Sequence, residues 1–343
     1  MTKQNALVVC PGRGTYNKEE LGYFSRHHGA QHALIEQFDA LREQRGQTTL
    51  SQLDSAERYS INTHTRGDNA SALIHACAYA DFLAIDRDRY DIVAITGNSM
   101  GWYIALACAG VLSQTGGFDV VNTMGTLMQE SLFGGQILYP FVDEDWVEIP
   151  GKQAELLALT ETIPNLFVSI KLGGMVVFAG DDAALKKLEH TLQPVQERFP
   201  MRLFNHAGFH SPLQQTVSEK GRDNLPISLF KAPEIPLIDG RGHTWLPYSA
   251  APSALHDYTL GQQVTSTYDF TAAVRASMHE FAPDVVIVLG PGTTLGGAIA
   301  QSLIVDSWFD ITNKADFIKR QKSAPVLYAM GIEQQRNAVT AVN

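Results

Sequence analysis

The chain has 343 residues, 45% of them hydrophobic and 18% charged, with a formal net charge of −10. That length can bury a large core, in one large domain or in a large domain with a smaller companion. The acidic balance argues against a nucleic-acid binder, whose affinity comes from a basic surface facing phosphates.

Cys10, Cys77 and Cys108 are too few and too scattered for a disulfide framework or a metal site, which points to a reducing, cytoplasmic compartment. Ala6 to Cys10 is an apolar run stopped by Pro11-Gly12-Arg13-Gly14, the pattern of a buried strand entering a loop. It is too short for a signal peptide. Helical spacing of apolar residues follows over 30–45 and 70–86. Tyr90 to Thr96, rich in β-branched residues, reads as a second buried strand. It runs through Gly97-Asn98-Ser99-Met100-Gly101 into an apolar helix near 100–112. The apolar run Tyr103 to Leu112 is about half of what a membrane span needs. A further helix is expected over about 118–132.

The texture changes near residue 136. Strands are expected at Gln136 to Val142, Phe167 to Ile170, Met175 to Ala179 and Met201 to Phe204. Helices are expected at Gly151 to Thr162 and Ala183 to Leu192, with a hairpin turn at Gly173-Gly174. The order β-α-β-β-α-β is that of a ferredoxin-like unit. Asp284 to Leu289 is then a buried strand, closed by Gly290-Pro291-Gly292 and followed by a helix near 294–304. Apolar strands alternating with helices predict an α/β fold whose parallel sheet is covered on both faces. The expected domains are a core of residues 1–135 and 206–305, an inserted small domain of 136–205, and a C-terminal extension of 306–343.

Gly97-x-Ser99-x-Gly101 between a strand and a helix carries the chemistry. The serine must sit on a sharp turn at the carboxyl end of the sheet, and the glycines permit the turn and the close packing of the helix. The helix N-terminus points free N–H groups at the site, which suits a developing oxyanion. A serine hydroxyl also needs a base. His27, His28, His32, His64 and His75 precede the serine in helix-like or polar segments and read as surface or partly buried groups. His190, His243, His256 and His279 lie in polar segments. His210 differs: it sits in Asn205-His206-Ala207-Gly208-Phe209-His210-Ser211-Pro212-Leu213, where Ala207 and Gly208 leave room for a ligand.

Five motifs in order resemble the malonyl-CoA:acyl-carrier-protein transacylase family of fatty-acid and polyketide synthesis, over residues 6 to about 303. They are Pro11-Gly12-Arg13-Gly14, Gly97-Asn98-Ser99-Met100-Gly101-Trp102-Tyr103, Met128-Gln129-Glu130, Phe209-His210-Ser211-Pro212-Leu213 and Gly290-Pro291-Gly292-x-x-Leu295. The resemblance implies an α/β-hydrolase-like core with an inserted ferredoxin-like domain and the site between them. It implies Ser99 as nucleophile and His210 as base, with the backbone N–H groups of Met100 and Arg13 as the oxyanion hole. It also implies that a backbone carbonyl near Leu289 to Pro291 holds the His210 ring. No permanent cofactor is implied; a coenzyme A thioester (acyl-CoA) and the phosphopantetheine of an acyl carrier protein would be the substrates.

Malonyl-selective members carry an arginine in the helix after the nucleophile, and the matching position is Met124. A methionine cannot pair with a carboxylate, so a neutral acyl group is expected, with Met124 in an apolar wall. Arg13, where the family has glutamine, offers a rescue for malonyl. Asn98 and Trp102 replace the family's histidine and glutamate and, with Phe209, are further expected pocket residues, with packing in the core as the favoured other reading of Trp102. An acyl hydrolase of the same fold and a non-catalytic carrier-binding subunit are the alternatives; an ordinary esterase would need one of His243, His256 and His279 as its base. An acidic carrier would dock on basic residues such as Lys186, Lys187, Lys220 or Arg222.

Overall fold

Ala6, Leu7, Val8 and Val9 are all fully buried. A strand achieves this only when both faces of its sheet are covered, as in parallel α/β architectures. The computed structural model describes residues 2–341. Its strands are β1 (Gln4–Cys10), β2 (Tyr90–Gly97), β3 (Gly135–Pro140), β4 (Leu166–Leu172), β5 (Met175–Gly180), β6 (Met201–Arg202), β7 (Leu237–Ile238), β8 (Thr244–Trp245), β9 (Tyr268–Asp269), β10 (Val285–Val288) and β11 (Leu327–Ala329).

The larger sheet has the order β11-β10-β1-β2-β7-β8. All its neighbours pair in parallel except β7 and β8. Ala6 sits beside Val285 on one side and Ile92 on the other, so β1 is central. The helices expected on its faces are present, including Gly67–Ala84, Gly101–Cys108, Gln114–Glu130 and Leu295–Val305. The helix Gly101–Cys108 is buried along its whole length, as its continuous apolar sequence requires.

The chain leaves this layer after Glu130 and builds the second sheet, ordered β6-β3-β5-β4-β9. The first four strands with the helices Lys152–Thr162 and Asp182–Thr191 reproduce the ferredoxin-like order. A fifth strand comes from outside the insertion: β9 pairs in parallel with β4, placing Tyr268 beside Ile170.

Residues 306–343, expected as an appended extension, differ from that reading. β11 adds a parallel strand beside β10, with Ile287 opposite Tyr328. The helix Glu333–Val339 places Arg336 2.6 Å from the buried Asp81. The polar helix Lys314–Ser323, which buries none of its residues, precedes β11, a short apolar strand, and gives the segment its polar composition.

Candidate active site

In an open parallel sheet the carboxyl ends of adjacent strands form the binding crevice. Here β10, β1 and β2 are adjacent, and the loops after them carry Gly290 to Gly292, Pro11 to Gly14 and Gly97 to Ser99. Ser99 sits on the turn with a φ of +56°. That turn is forced by contact. A Cβ on Gly97 would collide with the backbone of Gly101, and a Cβ on Gly101 would collide with the Cys10 carbonyl. The helix therefore approaches the sheet as closely as bare backbone allows.

His210 arrives from the other direction, on the segment returning from β6. It too has a positive φ, +54°, and it is buried. Its Nε2 lies 2.7 Å from Ser99 Oγ, and its Nδ1 lies 2.6 Å from the Gln263 carbonyl oxygen. Burial pushes the His210 pKa down to about 4, against the opposing pull of that carbonyl. The ring is thus neutral near pH 7, with Nδ1–H donating to Gln263 and the Nε2 lone pair accepting from the serine hydroxyl, as a general base requires.

The carbonyl that holds the ring corrects the expectation that it would come from Leu289 to Pro291. That loop is engaged elsewhere: the Gly290 N–H donates to Asp81 Oδ2 at 2.7 Å. Gln263 can serve because the helix Gln263–Thr265 stops at once, after the wide π-turn Tyr258–Gln262. Carbonyls of a last turn have no partner within their helix. The Gln263 side chain also donates to the Ser99 carbonyl at 3.1 Å and accepts from the Tyr103 hydroxyl at 2.9 Å. Nothing in the sequence marked this glutamine, which lies in a polar stretch without a motif. The Tyr268 hydroxyl adds a further tie, donating to the Gly97 carbonyl at 2.5 Å.

Ser99, Met100, Arg13, Asn98, Phe209 and His210 all line one cavity of about 410 Å³. Neither the Arg13 nor the Met100 N–H donates to a backbone carbonyl among the described residues. The small domain contributes Leu138, Ile170 and Val177 to an apolar wall, and the helix Gln114–Glu130 contributes Val121 and Met128. A polar corner is built from His206, whose Nδ1 lies 2.7 Å from Gln136 Oε1; burial pushes its pKa down to about 3. The Gln136 amide in turn donates to Ser169 Oγ.

Two expected pocket residues lie elsewhere. Met124 is buried beside the helix Gln215–Asn224: a Cβ on Gly221 would sit 2.9 Å from its sulfur. The neighbours of Met124 on the helix surface, Val121, Gly125 and Met128, face the cavity instead. Trp102 is fully buried, donating to Thr259 Oγ1 at 2.9 Å and meeting Tyr258 edge-on. Of the histidines of the esterase alternative, His256 meets the Leu225 carbonyl, His279 meets Asp306 and the His243 ring meets Trp245 edge-on. Lys186, Lys187, Lys220 and Arg222 are exposed. Among the described residues no group of three or more histidines, cysteines and acids could hold a metal ion, and no helix is long and apolar enough to cross a membrane.

No family model matches the chain. It is 26% identical over 306 residues to the phenolphthiocerol synthesis polyketide synthase type I of Mycobacterium marinum, covering 86% of this chain and 13% of that protein. It is 24% identical over 204 residues to the malonyl CoA-acyl carrier protein transacylase of Escherichia coli O157:H7, covering 59% of this chain and 63% of the relative. The chain thus spans less than two thirds of the length of these curated relatives. The crystal structure of the malonyl-CoA:acyl carrier protein transacylase from Xanthomonas oryzae pv. oryzae matches with a TM-score of 0.73 at 18% identity, over 99% of this chain and 100% of that one. The corresponding Synechocystis structure matches with a TM-score of 0.72 at 16% identity, over 98% of this chain and 100% of that one. The chain has the mixed α/β fold of these transacylases, with its parallel sheet.

Proposed function

We propose that the chain is a member of the malonyl-CoA:acyl-carrier-protein transacylase family that moves an acyl group from a coenzyme A thioester to the phosphopantetheine thiol of an acyl carrier protein. The observation that carries this reading is the Ser99 Oγ to His210 Nε2 distance of 2.7 Å, with Nδ1 held by a main-chain carbonyl. A hydroxyl is activated when its proton has an oriented acceptor.

The steps follow from these positions. Ser99 Oγ attacks the thioester carbonyl carbon while its proton passes to His210 Nε2. The carbonyl oxygen gains the negative charge, and the main-chain N–H groups of Met100 and Arg13 stabilise it. Collapse breaks the C–S bond, and the leaving thiolate takes the proton from His210. The carrier's thiol then gives its proton to His210, attacks the Ser99 ester and leaves with the acyl group, restoring the serine. A carbonyl rather than a carboxylate on Nδ1 fixes the tautomer without adding a charge. The apolar wall limits water near the ester, which favours transfer over hydrolysis.

Intact-protein mass spectrometry after brief mixing with acyl-CoA tests this. An adduct is expected on the wild type and not on Ser99→Ala, and it should be discharged by phosphopantetheinylated carrier protein. Release of free CoA without any adduct would point instead to the hydrolase alternative. Absence of both adduct and CoA release would overturn acyl transfer from CoA.

A further inference from the structure

We infer that His206 offers a hydrogen-bond acceptor to the bound acyl group, so that the preferred donor is the thioester of a hydroxy acid. This rests on the acyl-serine reading above and assigns the donor class for the same cavity.

The loop that carries His206 is pinned on both sides. Before it, the Asn205 carbonyl accepts from Arg13 Nη2 at 3.0 Å, and the Asn205 amide donates to Thr65 Oγ1 at 2.7 Å. After it, the Gly208 N–H donates to the Phe133 carbonyl at 2.8 Å. The ring is tied as well, because Nδ1 lies 2.7 Å from Gln136 Oε1. A side chain held at several points keeps its free edge in one place.

The polarity of the ring follows from the far end of this chain of bonds. The Phe209 carbonyl can only accept, so the Ser169 hydroxyl donates to it at 2.7 Å. Ser169 Oγ in turn accepts from the Gln136 amide, which leaves Gln136 Oε1 facing His206. An amide oxygen can only accept, so Nδ1 carries the ring proton. Burial and the charge of Arg13 keep the ring neutral near pH 7. Nε2 therefore presents a lone pair and no proton.

That lone pair has no hydrogen-bond partner among the described residues, and Nε2 is not sealed inside the protein. Other unpaired side-chain atoms of the cavity residues, Arg13 Nη1 and Asn98 Oδ1, are sealed. His206 is half-buried and lines the cavity that holds Ser99, beside the apolar Leu138, Ile170 and Val177. An alkyl chain laid over the ring would strip Nε2 of water and return nothing, whereas a hydroxyl on that chain would donate to it. A carboxylate has only acceptors to offer and gains nothing from Nε2.

The experiment mixes the wild type with equimolar pairs of CoA thioesters, lactyl against propionyl and β- or γ-hydroxybutyryl against butyryl, and reads the initial ratio of adducts on Ser99 by intact mass. At least one hydroxyacyl group should load about tenfold faster than its plain partner. In His206→Phe, which keeps a ring and removes the acceptor, that ratio should fall to about one. His206→Gln, whose amide oxygen accepts, should restore part of it. A ratio is read because general damage to loading cancels in it. Plain adducts that form as fast as every hydroxyacyl adduct on the wild type would overturn the inference and leave acyl transfer standing. A ratio unchanged in His206→Phe would do the same, and equal slowing of both adducts there would assign Nε2 to an amide N–H of the pantetheine arm instead. If that variant does not fold, the wild-type ratios decide alone. No adduct from any thioester would remove both readings.

Discussion

Gln263 and His210 are joined through the main chain: the Gln263 carbonyl lies 2.6 Å from His210 Nδ1, while the same residue's amide donates to the Ser99 carbonyl at 3.1 Å. One residue thereby holds both the His210 ring and the backbone of Ser99.

Gln263→Leu keeps the carbonyl and removes the side-chain ties. It leaves the buried Tyr103 hydroxyl without its acceptor, which costs about 1–3 kcal/mol. We expect a lower unfolding midpoint in denaturant and slower Ser99 loading, with the acid limb of the pH profile unmoved. A shifted limb would show that the side chain, rather than the carbonyl, governs the base.

The pH dependence of loading follows from His210. Its pKa lies near 4, below the ordinary histidine value, because burial disfavours the imidazolium. In the proposed reaction the neutral ring takes the serine proton, so loading should persist as pH falls through 6.5 and decline only near 4. Stability behaves differently. His75, His206 and His210 all have lowered pKa values, so the unfolded chain binds more protons below its own value of about 6.5. Stability is fully present above that pH and is lost progressively as pH falls toward the folded-state values. Denaturant midpoints taken across pH 8 to 5, and loading rates carried on down past pH 4, check both trends.

His75 is fully buried, with neither ring nitrogen partnered, among the rings of Phe38, Tyr79 and Phe118. From the sequence it reads as a surface or partly buried group, and it is buried completely. An unpaired polar group there costs stability that an apolar side chain of similar size avoids. His75→Leu should raise stability by about 1 kcal/mol and weaken the acid dependence just described, both measurable by denaturant unfolding at two pH values.

Gly97→Ala and Gly101→Ala each drive a methyl into backbone at the Ser99 turn. Backbone cannot yield as a side chain can, so each should cost about 1–3 kcal/mol or more. Loading should fall out of proportion to stability, because the collision displaces the nucleophile itself. Loading rates and unfolding midpoints on the same preparations separate the two effects.

The elements with strong local signals were legible from the chain alone. The continuous apolar runs of β1, β2 and β10 announced a covered parallel sheet. The Ser99 turn announced itself by its glycines, and the spacing of the small domain gave its order. What stayed hidden depends on contacts between distant segments. Gln263 acts through its main chain, which any residue type could offer. β9 has two residues and no pattern of its own. Met124 matches the family position in sequence, yet its neighbours on the helix face the cavity, because side-chain direction on a helix depends on what packs against it. The role of β11 was masked by its polar surroundings.

Ser99 and His210 share one more trait, since both hold backbone conformations that side-chain-bearing residues adopt reluctantly. Nine other described residues that carry side chains share such a conformation, Asn205 in the same loop as His210 among them. Ser99→Gly should relieve the strain at its turn, by about 1 kcal/mol, and give a protein that no longer loads acyl groups, whereas His210→Gly empties a buried site and strips the Gln263 carbonyl of its donor, which outweighs the relief. Selection for stability alone would act against Ser99 at this turn.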